Sequence, residues 1–299
     1  MAKDTEFKRR TRRQDIIKQL RKNKTAMIGL VMLLAIFILC IGAPIFAPHD
    51  PYDADLDRGN RPGFWSDDCI PGYYLGTDYL GRDLLSRILY GGRVTLSVGF
   101  VALGFALIAG TSMGMAAGYF GGKIDSILMR IVDILFAYPA LLLALVIAGT
   151  LGRGIDKAML AIGVVYTPQM ARVMRGAVLT IKETEYIEAE HAIGSSTSRI
   201  IFKHVLPNSM APIIVYSTLM LATAILDAAA LGFLGVGAQS PSPEWGLALS
   251  IARRYLITGA WWAATFPGVA ILLSVISLNL LGDGLRDALD PRLKGGAKL

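Results

Sequence analysis

Residues 26–47 read AMIGLVMLLAIFILCIGAPIFA, 22 consecutive residues without a charged side chain. A helix rises about 1.5 Å per residue and hydrocarbon is about 30 Å thick, so roughly 20 apolar residues in a helix cross a bilayer. Working outward, five further windows of that kind occur, at 94–117, 127–150, 158–179, 209–234 and 263–281. Composition agrees: 54% of the 299 residues are hydrophobic, 18% are charged and mean hydropathy is +0.50. One water-soluble core would not use so much apolar surface. The sequence therefore predicts an all-α, polytopic membrane protein with six transmembrane helices.

The first window is read as a retained helix. Its charged leader and its apolar stretch both exceed the usual dimensions of a signal peptide, and no A-x-A site occurs between Pro44 and Pro48. Ten of the thirty Lys and Arg residues precede residue 26, and net charge is +7. A membrane-flanking basic leader explains that cluster better than nucleic-acid binding, and the positive-inside rule then places the N-terminus in the cytoplasm. Within the leader, Ile16, Ile17 and Leu20 share one face of a short amphipathic helix expected over 13–24, lying along the membrane surface.

Six crossings divide the chain into a basic cytoplasmic leader (1–25), a first transmembrane helix (26–47), an extracytoplasmic loop (48–92), a five-helix core (93–285) and a cytoplasmic tail (286–299). Residues 48–92, 151–157 and 235–262 fall outside; 118–126 and 180–208 fall inside. Charge supports the order, because the 48–92 loop holds eight Asp residues against four Arg. Cys40 in the first helix and Cys69 in the outer loop are too separated to form a disulfide.

The windows are rich in small residues, such as Ala106, Gly110, Gly114 and Gly118 in the second, which let helices approach closely in lipid. Ionisable groups within spans need partners. The sequence offers Arg130 with Asp133, Arg172 with Arg175, Asn279 with Asp283, and Asp227 alone. Asp227 either makes a helix-packing hydrogen bond or ion pair, or lines a wet path. Asp283, Arg286, Asp287 and Asp290 lie at helical spacings and read as a solvated, self-paired helix end.

The informative polar segment runs Tyr186-Ile187-Glu188-Ala189-Glu190-His191-Ala192-Ile193-Gly194, then 195–203, then His204-Val205-Leu206-Pro207-Asn208. It predicts a polar helix, a bend at Gly194 with positive φ, and a second helix ended by Pro207 at the entry to the next span. Glu-Ala-x-x-x-x-Gly followed after eleven residues by Leu-Pro resembles the EAA loop of ABC importer permeases. Glu190 departs from that pattern, standing where the family usually has a second alanine. Three further stretches narrow the resemblance to the dipeptide, oligopeptide and nickel group. They are Leu75-Gly76-Thr77-Asp78 with Gly81-Arg82-Asp83; Gly232-Phe233-Leu234-Gly235-Val236-Gly237 with Pro243-Glu244-Trp245-Gly246; and the run from Gly282 through Asp290 to Pro291. Together they are similar to the C-type subunit of a dipeptide permease.

The resemblance implies a type I importer fold and a coupling loop at 182–208 carried by Tyr186, Glu188, Ala189, Glu190, Gly194, His204, Leu206 and Pro207. Apart from the resemblance, the Gly-rich stretch with Gly232, Gly235 and Gly237 reads as irregular backbone at the outer surface that forms an outer gate or a docking surface, with Asp227 a pore candidate; the outer segments, with Asp78, Arg82 and Trp245, are expected to contact the binding protein. The partners that the resemblance implies would be a second, homologous permease subunit, one or two ABC ATPase subunits, an extracytoplasmic solute-binding protein and membrane lipid, without nucleic acid. No cofactor is expected on this chain, with ATP and Mg held by the ATPase subunits. No G-x-x-x-x-G-K-[ST] motif occurs, since Gly121-Gly122-Lys123 lacks a glycine at 117 and is followed by Ile124. His191 and His204 do not form H-E-x-x-H, so a metalloprotease site is not expected. A nickel-complex or glutathione permease, or an ion-coupled carrier centred on Asp227, is the alternative. The expected mechanism is alternating access in the bacterial inner membrane.

Overall fold

The computed structural model describes residues 19–289. The first part of the expected leader helix and the tail from Asp290 lie outside the described residues. The rest is almost wholly helical: α1 (Lys24–Ile41), α2 (Ala43–Phe46), α3 (Leu84–Phe120), α4 (Gly122–Phe136), α5 (Ala140–Leu151), α6 (Ile155–Lys182), α7 (Glu185–Ala192), α8 (Thr197–Phe233), α9 (Trp245–Ala252) and α10 (Trp262–Leu289). Among the described residues α1, α3, α8 and α10 are each long and apolar enough to cross a membrane.

The six-span reading needs two adjustments. The window at 127–150 is not one helix: α4 and α5 meet at an angle of 91°. Pro139 has no N–H for an α-helical bond and disfavours helical backbone at Tyr138. A bent α4–α5 pair makes at most a fifth apolar span. The window at 158–179 is a continuous 28-residue helix, α6, but Gln169, Arg172 and Arg175 make it less apolar than the others.

Proline acts differently at the start of α8. The second polar helix is not ended by Pro207 but runs through it into the span. Residues Ile200–Val205 widen into a π-helical turn, where Leu206 N bonds Ile201 O. That wider turn accommodates the proline ring and its missing donor without breaking the helix.

The core of the bundle is the pairing of α3 with α6. Gly110, Gly114 and Gly118 repeat every four residues on one face of α3, and each is pressed against α6 backbone. A Cβ on Gly114 would stand 2.3 Å from Ala171 O. Gly114→Val should therefore pry the two helices apart and cost about 1–3 kcal/mol by overpacking. Thermal aggregation of the detergent-solubilised protein measures this; Gly104→Ala, where a Cβ meets nothing within 4 Å, should not move it. Helix α1 packs similarly on α10, with Gly29 against Ser277 and Leu280 and Gly284 against Ala26.

These contacts define two ends. At the first end lie the 48–83 loop, the start of α3, the 235–245 turn and the start of α10, since Trp262 Nε1 donates to Thr77 O (3.1 Å). Trp65, Trp261, Trp262 and Phe266 cluster there. At the second end lie the end of α3, the end of α6 and α7, with Lys182 Nζ donating to Tyr119 O (2.7 Å).

Candidate functional site

At the second end, α7 stands clear of the bundle on one anchor. Ile187 is buried in the same core as Val178, Ile200 and Val205, while Tyr186, Glu188, Ala189 and His191 are exposed. The helix ends in a Schellman motif: Ser195 N bonds Glu190 O and Gly194 N bonds His191 O, both at 3.0 Å. The residue after the cap must then be left-handed, and Gly194 has φ +76°. No neighbouring atom lies within 4 Å of where its Cβ would be, so backbone conformation alone demands glycine there.

Glu190, the departure from the family pattern, turns inward from α7. It accepts a hydrogen bond from Ser195 Oγ, and His204 Nε2 stands 3.3 Å from its other oxygen without forming a hydrogen bond. The Ser195 hydroxyl, aided by nearby His204 and the positive charges of Arg199 and Lys203, outweighs partial burial and holds the Glu190 carboxyl below its ordinary value. Asn208 Nδ2 donates to Tyr186 Oη (3.2 Å) and to His204 O (2.7 Å). Six of the eight residues assigned to the loop, Tyr186, Glu188, Ala189, Glu190, Gly194 and His204, thus belong to one helix, its cap and its strut. Leu206 and Pro207 lie just beyond the π turn. Sequence reading missed two apolar side chains on this tip, Ile193 and Phe202, which are 76% and 67% exposed. Ile193 lies between Ala192 and Gly194 and Phe202 follows Ile200 and Ile201, so nothing in the sequence sets either apart.

At the first end the three residues assigned to binding-protein contact are not at a surface. Asp78, Arg82 and Trp245 are 8%, 2% and 2% exposed. Asp78 Oδ1 accepts from Leu80 N and Arg82 N, while Oδ2 accepts from Arg82 Nε at 2.7 Å and lies 3.4 Å from Arg87 Nε. Arg87 in turn donates to Pro51 O and Ser242 O. Trp245 Nε1 donates to Ile88 O (2.9 Å). These side chains clamp the 48–83 loop and the 235–245 turn onto α3. Tyr52, Leu56, Phe64 and Tyr74, each more than half exposed, form the outer face of that loop instead.

Glu244 completes the clamp. Its carboxylate caps α9 by accepting from Gly246 N and Leu247 N, and it also accepts from Thr95 Oγ1. Burial pushes its carboxyl up, against those three hydrogen bonds. The three glycines assigned to a gate meet this cap or close α8. A Cβ on Gly232 would stand 2.5 Å from Glu244 Oε2 and one on Gly237 2.9 Å from Gly232 N. Gly235 ends α8 at φ +81°, with Val236 N bonding Leu231 O.

Within the spans the observed ion pairs differ from those the sequence offered. Arg175 makes a two-pronged bond to Asp125 (2.6 Å), and Arg172 pairs with Asp133 (2.6 Å) while lying over the Phe136 ring. Arg172 and Arg175 are thus paired across to α4 rather than with each other, and Asp133 is not taken by Arg130. The sequence listed both arginines and Asp133 but not Asp125, and it could not place α4 beside α6. Asp227 Oδ2 accepts from Tyr166 Oη at 2.7 Å, and about three turns away along α8 Tyr216 Oη donates to Gln169 (2.9 Å).

Comparison with known proteins agrees with this architecture. The family described as binding-protein-dependent transport system inner membrane component matches residues 110–295, and the N-terminal TM domain of oligopeptide transport permease C matches residues 11–62. The chain is 46% identical to the dipeptide transport system permease protein DppC of Alkalihalophilus pseudofirmus, over 94% of this chain and 90% of that one. It is equally similar, at 46%, to the di/tripeptide transport system permease protein DppC of Pseudomonas aeruginosa, over 92% and 90%. Its fold is similar to that of the inward-facing MetNI methionine ABC transporter, with a TM-score of 0.55 at 24% identity, covering 68% of this chain and 96% of that one.

Proposed function

This chain belongs to the family of binding-protein-dependent transport system inner membrane components, and we propose that it forms half of the translocation pore of an ATP-driven importer of di- or oligopeptides. The observation that carries the reading is α7: a short helix held out from the bundle on Ile187, closed by Gly194, and presenting Tyr186, Glu188, Ala189 and Ile193, with Phe202 exposed at the start of α8. That is a docking tip for a cleft on an ATPase subunit, with two apolar anchors. The relatives' peptide transport supplies the substrate class.

In this reading the second end is cytoplasmic. It carries Lys22, Lys24, Lys123, Lys182, Arg199 and Lys203, while the loop at the first end is rich in Asp, as the positive-inside rule asks. The first end then faces the solute-binding protein through Tyr52, Leu56, Phe64 and Tyr74. A second, homologous permease subunit completes the pore, and the polar seam between α6 and α8 around Asp227 faces it. ATP and its Mg are held by the ATPase subunits. Closure of the ATPase pair moves α7, Ile187 carries that motion into α6 and α8, and the pore turns outward; hydrolysis resets it.

Tagging the protein, purifying it in mild detergent and identifying its companions by mass spectrometry tests the reading. A second permease-like chain and one or two ATPases should co-purify. A lone chain that still moves solute would replace the reading with ion-coupled transport.

A further inference from the structure

Asp227 differs from the acids of α4 in what it lacks. Asp125 and Asp133 each hold an arginine, whereas Asp227 has no cationic partner among the described residues. Its Oδ2 takes one neutral donor, Tyr166 Oη, and no described residue donates to Oδ1. An ionised carboxylate at the centre of a span costs at least about 2.5 kcal/mol on insertion scales, and Asp227 lies within α8, six residues short of its end at Phe233, without a cationic partner. The missing partner is a positive charge, and no described residue brings one.

The surroundings say where that charge comes from. At about 100° per residue, Thr223 and Asp227 fall within about 20° of Tyr216 on the surface of α8. Thr223 is exposed, and Tyr216 and Asp227 are partly so. Gln169 and Tyr166 of α6 meet the two ends of this stripe, giving a polar seam about 16 Å long. An open polar stripe at membrane depth lies against protein or water rather than lipid. Peptides vary in their side chains, but every unblocked peptide carries an α-ammonium group. A fixed carboxylate therefore suits a pore that must engage many peptides at one shared point.

We infer that Asp227 Oδ1 receives the α-ammonium group of the peptide in transit, with the Tyr166 hydroxyl orienting the carboxylate. This rests on the pore-facing role proposed for the α6–α8 seam. Tyr166 is a positioning residue; Asp227 makes the contact. The site takes an ammonium group, and an N-acylated peptide has nothing to offer it.

The test uses the purified assembly without binding protein and a dipeptide bearing a benzophenone side chain, in free and N-acetylated forms. Photolabelling is mapped by mass spectrometry, and ATP-driven uptake of the free peptide is measured alongside in proteoliposomes to which the binding protein has been added. The free form should label α6 and α8. Asp227→Asn should cut that labelling by about tenfold or more, the scale of losing one partner of a charge pair, Asp227→Glu should restore part of it, and Tyr166→Phe should keep most. The N-acetylated form should label the wild type no better than the free form labels Asp227→Asn. Equal labelling by both forms, or unchanged labelling in a well-assembled Asp227→Asn, overturns the inference while uptake leaves the importer reading intact. A Tyr166→Phe variant as poor as Asp227→Asn makes Asp227 a packing residue and also overturns it. Absence of uptake in the wild type overturns the importer reading itself, and the inference with it.

Discussion

Asp78→Ala is expected to destabilise the protein by about 3–5 kcal/mol, the range for breaking a buried ion pair by removing one partner. Two guanidinium groups depend on this carboxylate. Arg82 bonds it through Nε and Nη2, both at 2.7 Å, and Arg87 Nε lies 3.4 Å away, while the two arginines are only 2% and 4% exposed. Truncation leaves both cations facing each other in a largely buried site. Leu80 N and Arg82 N also lose their acceptor. The bonds from Arg87 to Pro51 and Ser242 would then hold an uncompensated charge beneath the loop they are meant to fix. Asp78→Asn, which keeps an acceptor and loses the charge, should fall between. Apparent melting temperature from fluorescence-detected size exclusion reads the series. Asp67, exposed on the same loop, supplies the control, and an Asp78→Ala variant as stable as Asp67→Ala would remove the clamp from this description.

The spans were legible because hydrophobic length is a local property. Residues 26–47 and 94–117 announce helices whatever packs on them, and α1 and α3 occupy those places. What sequence could not show is where a motif's side chains point. Asp78, Arg82 and Trp245 sit in loop segments that look exposed in one dimension, and they drew a partner-contact role. Polar residues in an outer loop suit a buried clamp equally well, and the choice depends on Pro51, Ile88 and Ser242 arriving from elsewhere in the chain. The same limit explains the span charges: Arg172 and Arg175 found their acids on α4, and no spacing rule links residues some 40 to 50 positions apart.

Proline was misleading in both directions, for a reason the backbone makes plain. Pro139 stands in an unbroken apolar window, yet α4 and α5 diverge there by 91°. Pro207 stands where a stop was expected, yet α8 continues because the π turn at Ile200–Val205 takes up the strain. Whether proline bends or passes depends on the turn preceding it. That continuity matters for coupling, since a force on the tip enters an uninterrupted helix that reaches Asp227.

Gly194→Val should lower peptide uptake by tenfold or more, about 1.4 kcal/mol or above in coupling, while ATP hydrolysis by the assembly persists. Steric fit is not the issue, because a Cβ at Gly194 would meet nothing within 4 Å. Conformation is: φ is +76°, a region costing an ordinary L-residue about 1–2 kcal/mol and a β-branched one more. Valine would relieve that strain by unwinding the Schellman turn. The bonds of Ser195 N to Glu190 O and of Ser195 Oγ to Glu190 would go with it, and with them the stiff link between α7 and α8. Motion of an ATPase subunit would then turn α7 about Ile187 without driving the span. Gly194→Asn is the discriminating control, since asparagine tolerates left-handed backbone: it should keep uptake near wild type where Ala loses some and Val most. Uptake and ATPase activity measured on the same proteoliposomes give the ratio directly. A Val variant with wild-type coupling, or an Asn variant as poor as Val, would mean that this turn transmits nothing and that the docking tip signals through the π turn alone.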